Sequence, residues 1–100
     1  EEHAFHYNEL TNSQQELAQI EQHILINRVG ARAALRSDED RLWVLSGDMF
    51  MRVPKDRVID FLKAETKPLS LRKQRLRATI ASSKTQLERV EAQLQEQAGR

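Results

Sequence analysis

Three histidines, three adjacent acids and a run of bases are the groups in this 100-residue chain that could do chemistry. His3 and His6 lie three apart, a spacing that puts two ligands on one helix face. A metal needs further donors, and His23 lies about five turns away, so surface histidines are the better reading. There is no cysteine, which excludes thiolate ligation, a Cys nucleophile and a disulfide framework. Asp38, Glu39 and Asp40 bring three carboxylates together without the spaced ligands and turn glycine of a calcium loop, so they read as a loop. No Gly-rich phosphate loop, nucleophile elbow or HExxH occurs. Lys67, Arg72, Lys73, Arg75 and Arg77 have no acid between 67 and 77 and could meet phosphate. No aromatic residues interleave with them, and no recognition motif surrounds them. A solvated helix face, or pairing with an acidic neighbour, is preferred over nucleic acid. These groups point to no enzyme, no cofactor and no metal site.

The chemistry that remains is apolar. Aromatics are only 5% of the chain and charged residues 31%, with Ala, Gln, Glu, Arg and Leu prominent, so long helices are expected rather than a thick core. The net charge is +1. Bases concentrate in residues 61–100, where nine face four acids. No apolar run approaches the ~18 residues of a membrane span, and EEHAFHYNEL lacks the basic start and apolar core of a signal peptide. The chain does not begin with Met, which would fit a trimmed fragment.

Two heptad patterns dominate. Leu10, Leu17, Ile24 and Ala31 recur every seven residues, and Ser13, Ile20, Asn27 and Ala34 fall three later, which predicts a helix over 7–36. Thr11 or Ser13 would cap a late start, and Gly30 would bend or weaken the helix. Leu62, Leu69, Leu76, Ser83 and Val90 form a second seam, with Ile80, Leu87 and Leu94 four after their predecessors. A second helix is expected over 56–98, entered by Val58 and Ile59. Pro68 predicts a kink or break near 65–68, with Thr66 capping the restart, and the tail from Gln95 is expected to fray. Ser13, Asn27 and Ser83 either fix seam register or face water.

Between the helices stands LWVLSGDMFMRVP, residues 42–54, which holds the only Trp and both Met residues. Leu42, Trp43, Val44 and Leu45 read as one strand and Met49, Phe50, Met51, Arg52 and Val53 as another. Ser46-Gly47 supplies the tight turn, and Pro54 ends the second strand. An isolated hairpin is marginal in water, so its apolar residues and edges need cover, and hairpins of other subunits would provide it. The fold class is therefore mainly α: an antiparallel two-helix coiled coil with one β-hairpin between the helices, forming a single domain over 1–100. Both termini then lie at a tip away from the hairpin.

Gly47-Asp48-Met49-Phe50-Met51, followed by Val58-Ile59-Asp60-Phe61-Leu62, resembles the β-type subunits of prefoldin. The nearest pattern is that of the DNA-damage-regulated, prefoldin-like subunits related to prefoldin subunit four, where a similar stretch ends in Pro as Gly47 to Pro54 does. Pro68 departs from a helix that the family usually keeps continuous. The resemblance implies a hexamer of α-type and β-type subunits whose hairpins join into β-barrels, with arms that hold non-native client proteins near their tips. Leu42, Trp43, Val44, Leu45, Gly47, Met49, Phe50, Met51 and Val53 would form the assembly interface. Phe5, Tyr7, Leu10 and Leu94 are the apolar groups available to clients. The implied location is cytoplasmic, and nuclear for the DNA-damage-regulated type. The alternative is a coiled-coil scaffold or tethering subunit of an unrelated complex, with 42–53 as an elbow.

Overall fold

A computed structural model describes residues 2–99, without the side chains of Glu2 and His3. Helix α1 (Glu2–Arg36) is followed by strands β1 (Arg41–Ser46) and β2 (Met49–Pro54) and by helix α2 (Lys55–Ala98). The fold is the expected one: two helices with an antiparallel β-hairpin between them. No described helix is long and apolar enough to cross a membrane.

α1 begins earlier than its pattern suggested, so Thr11 and Ser13 lie inside the helix and cap nothing. α2 also departs from expectation. It stays helical through Pro68, losing only the hydrogen bond that residue 68 would donate, so the expected break is absent. Pro68 and Ala64, whose carbonyl a residue 68 N–H would normally reach, are both exposed. Water can satisfy that carbonyl, which is why the helix tolerates the proline. Thr66 caps no restart; its hydroxyl donates back to the Leu62 carbonyl at 2.8 Å. The tail is helical to Ala98, and Gly99 N–H bonds Gln95 O at 3.0 Å.

The chain resolves into two compact units. The hairpin unit comprises residues 22–70, and the terminal unit joins the chain up to Glu21 with the chain from Leu71. Within the hairpin unit, partners descend along α2 as they climb along α1. Asn27 meets Glu65, Gly30 lies beneath Leu62, and Ser37 meets Lys55, so the helices run antiparallel. Ile24, Ala34 and Ile59 are buried here, with Leu62, Thr66 and Leu69 half-buried. Within the terminal unit Leu76, Leu87 and Val90 are buried, beside the small polar residues Ser13 and Ser83. Every α1 seam position from Leu10 to Ala34 is buried or half-buried. In α2 the second seam line continues seven and fourteen residues before Ile80, to Lys73 and Thr66, both half-buried. Polarity hid these two positions from a search for apolar repeats. Leu94 is 52% exposed and is not part of the covered seam.

This core is thin. Among the described residues, no large side chain falls below 2% exposure. Burial of a few Leu, Ile and Val side chains yields roughly 1.5–3 kcal/mol each, against an ordering cost of about 1–2 kcal/mol for every residue of backbone. Backbone changes should therefore register clearly. Gly30 is helical, and a Cβ placed on it would meet only the mobile Leu62 Cδ1, at 3.4 Å. Gly30→Ala should raise stability by about 0.5–1 kcal/mol, because Ala is the better helix residue and the contact yields. Urea unfolding followed by circular dichroism checks this; a loss of stability would show that Leu62 cannot move.

Candidate assembly surface

The hairpin is built from its turn outward. Ser46 pairs with Met49, so Gly47 and Asp48 form a two-residue loop. Gly47 has φ +61°, and no described non-glycine residue has positive φ, so Asp48 does not. Positive φ at the first loop residue alone defines a type II′ turn, which requires Gly there. The turn is thus Gly47-Asp48, one residue later than Ser46-Gly47.

At the base, Ser37 N–H bonds the carbonyls of Ala33 and Ala34, and its hydroxyl accepts from Glu39 N–H. Lys55 closes the base from the other side. Its Nζ donates to Ser37 O at 3.0 Å and its N–H to Asp40 O at 2.8 Å. Asp38, Glu39 and Asp40 are the exposed joint between α1 and β1.

The register Leu42↔Val53, Val44↔Met51 and Leu45↔Phe50 sorts the side chains onto two faces. Leu42, Val44, Met51 and Val53 belong to one face. Residues from it line two open apolar hollows of about 400 and 420 Å³, together with Val58 and Leu62 of α2. Leu42, Val44 and Val53 are half-buried there, whereas Met49 and Met51 are exposed. The opposite face carries Trp43, Leu45 and Phe50, exposed by 66%, 61% and 68%. Arg52 stacks its guanidinium 5.8 Å from the centroid of the Trp43 ring. The sheet has two strands only, so each strand has an unpaired outer edge. Eight of the nine hairpin residues singled out from sequence thus lie on one small sheet, Gly47 forms its turn, and the outer face is bare.

The tip residues are less gathered. Phe5, Tyr7 and Leu94 are exposed, whereas Leu10 is partly taken up by the seam. Phe5 packs edge-on against His6, with ring centroids 5.5 Å apart. The His3 side chain lies outside the described residues, and no three His, Asp or Glu side chains converge among those described.

Two members of the basic run are spent within the chain. Arg72 pairs with Glu16 at 2.9 Å and Arg77 with Glu21 at 3.4 Å. The Glu16 hydrogen bond and charge hold Arg72 further into its protonated range. Both pairs are exposed and screened by solvent, so they orient the helices more than they stabilise them.

A polar link that no local pattern revealed crosses the hairpin unit. Asn27, 4% exposed in the seam, donates to Glu65 Oε1 at 3.0 Å, and His23 Nε2 meets the same oxygen at 2.5 Å. The Asn27 amide, working against desolvation and helped by His23, holds Glu65 below its ordinary value of 4.5. A folded value below the unfolded one stabilises the fold above pH 4.5, and this contribution disappears as pH falls through the folded value. Stability should therefore decline on acidification. Glu65→Gln should flatten that part of the pH profile of the urea midpoint; an unchanged acid limb would assign it to other carboxylates.

The order helix, antiparallel hairpin, helix is consistent with a prefoldin-like fold. No protein-family model matches the chain, and no curated protein is significantly similar to it in sequence. The helix-hairpin-helix architecture, with its bare outer sheet face, is compatible with a coiled-coil or assembly module.

Proposed function

We propose that this chain is a non-catalytic, β-type prefoldin-like subunit that enters a hetero-oligomer with other α-type and β-type subunits through its hairpin. The observation that carries the reading is the outer hairpin face: Trp43, Leu45 and Phe50 lie open to water beside two unpaired strand edges. Exposed apolar surface bordered by unpaired backbone is a poor end state for a free protein and a good start for strand addition. The thin two-helix core points the same way. In this reading Phe5, Tyr7 and Leu94 offer weak apolar contacts to non-native proteins, and the complex works in the cytoplasm or nucleus.

The test is absolute mass by light scattering, for the chain alone and co-expressed with candidate α-type prefoldin subunits. The expected result is a defined particle of heterohexamer size that contains this chain. A stable coiled-coil dimer that never enters such a particle would replace this reading with a tethering scaffold.

A further inference from the structure

The two edges of the hairpin are not equivalent. A two-residue turn makes Ser46–Met49 a hydrogen-bonded pair, and bonded and non-bonded pairs alternate from there. Lys55 N–H donating to Asp40 O at 2.8 Å falls on the bonded rung that this alternation requires. The non-bonded pairs are therefore Leu45–Phe50, Trp43–Arg52 and Arg41–Pro54. Residues in these pairs turn their backbone groups away from the hairpin. β1 thus presents the N–H and C=O groups of Arg41, Trp43 and Leu45, all exposed. β2 presents those of Phe50 and Arg52, but Pro54 has no N–H to offer. The β2 edge stops one donor short, next to the start of α2.

Side chains add a second asymmetry. Arg41, Trp43 and Leu45 share the outer face with Arg52, and neither arginine has a carboxylate partner among the described residues. We infer that β1 is the receiving edge, and that it takes an antiparallel strand of a different chain with the pattern apolar-x-apolar-x-acidic. In that register the apolar residues lie opposite Leu45 and Trp43 and the acid lies opposite Arg41. A second copy of this chain fits less well. Pairing β1 with β1 about Trp43 sets Leu45 against the second copy's Arg41, and pairing β2 with β2 about Arg52 opposes like charges. The inference rests on reading the hairpin as an assembly element and adds which edge is used and what it accepts.

The probe is the peptide TVTVTET, titrated into the full chain and followed by nitrogen–proton correlation spectra. Saturable shifts are expected at the amides of Arg41, Trp43 and Leu45, without matching shifts at Phe50 and Arg52. TVTVTKT should bind about tenfold more weakly, since it exchanges an opposite-charge cross-strand pair for a like-charge one. Leu45→Pro and Phe50→Pro change residues that face each other, and each removes one outward donor from one edge. Each also removes an outer-face apolar side chain, so the comparison between them isolates the edge: the first should weaken binding about tenfold more than the second does. Shifts centred on Phe50 and Arg52, no saturable shift in the unmodified chain, equal loss in both proline variants, or tighter binding of TVTVTKT would each overturn the inference. So would a dimer of the chain alone with the three β1 amides already protected. If both proline variants enter a hetero-oligomer equally well, the edge assignment fails and the assembly reading stands. If TVTVTET binds on β1 but no hetero-oligomer forms, the assembly reading fails and the edge assignment stands.

Discussion

Phe50→Asp is expected to eliminate incorporation of the chain into a hetero-oligomer while leaving its helix content almost unchanged. In the free chain Phe50 is 68% exposed, so little packing is lost there. The exchange also lowers strand preference, by up to about 1 kcal/mol. The helices, of 35 and 44 residues, dominate the circular dichroism signal and contain neither Phe50 nor its cross-strand partner Leu45. Once covered by a neighbour the position changes character. The complex loses roughly 1.5–3 kcal/mol of apolar burial, and a carboxylate moved out of water without a partner costs several kcal/mol more. Together these reach about 4 kcal/mol or above, which is about a thousandfold in affinity. Phe50→Leu is the matched control and should retain most incorporation. The measurement is the fraction of chain recovered in the mixed particle by light scattering after size separation. Unimpaired incorporation of Phe50→Asp would remove the outer hairpin face from the interface.

Much of this fold is legible in the sequence because two periodicities carry it. The seven-residue recurrence from Leu10 to Ala34 marks the covered stripe of α1, and an apolar run ended by Pro54 marks the hairpin. What escaped notice shares a physical cause in each case. Thr66 and Lys73 occupy seam positions, but the Thr66 hydroxyl is satisfied by the Leu62 carbonyl, and the half-buried Lys73 has a long apolar stem whose charged end can reach water. Leu94 continues the heptad spacing yet is exposed, since spacing marks a stripe without saying where its cover ends. The turn was displaced by one residue because Ser46-Gly47 and Gly47-Asp48 both contain the glycine; only its positive φ at the first loop position separates them. Glu65 reads as one more surface acid, because its partners His23 and Asn27 lie 42 and 38 residues back along the chain, on the far side of the hairpin. The bare outer face is different again. Trp43, Leu45 and Phe50 are visible as apolar residues, but their exposure depends on the register that puts Leu42, Val44 and Val53 against the helices instead.

Pro68 is the place where a local rule and the folded chain disagree most, and it supports the second large prediction. Pro68→Ala should stabilise the isolated chain by about 2–3 kcal/mol. The substitution restores an N–H that can reach the Ala64 carbonyl, removes the ring from the preceding turn and installs the best helix-forming residue. Nothing on the packed side opposes this gain. Pro68 is exposed, whereas the seam residues Thr66 and Leu69 on either side stay as they are. Part of the gain is offset because proline also restricts the unfolded chain, which keeps the figure at or below the full interior penalty. Urea unfolding reads it directly as a higher midpoint with an unchanged slope. A gain below about 0.5 kcal/mol would mean that α2 already relaxes around residue 68 in solution, because only a helix held in regular geometry carries the full penalty. The same variant separates stability from assembly. Pro68 lies on an exposed part of α2, outside both strands. If the hairpin is the interface, the stabilised chain should enter a hetero-oligomer as well as the unmodified one does. A chain that becomes more stable yet fails to assemble would show that Pro68 itself belongs to the interface.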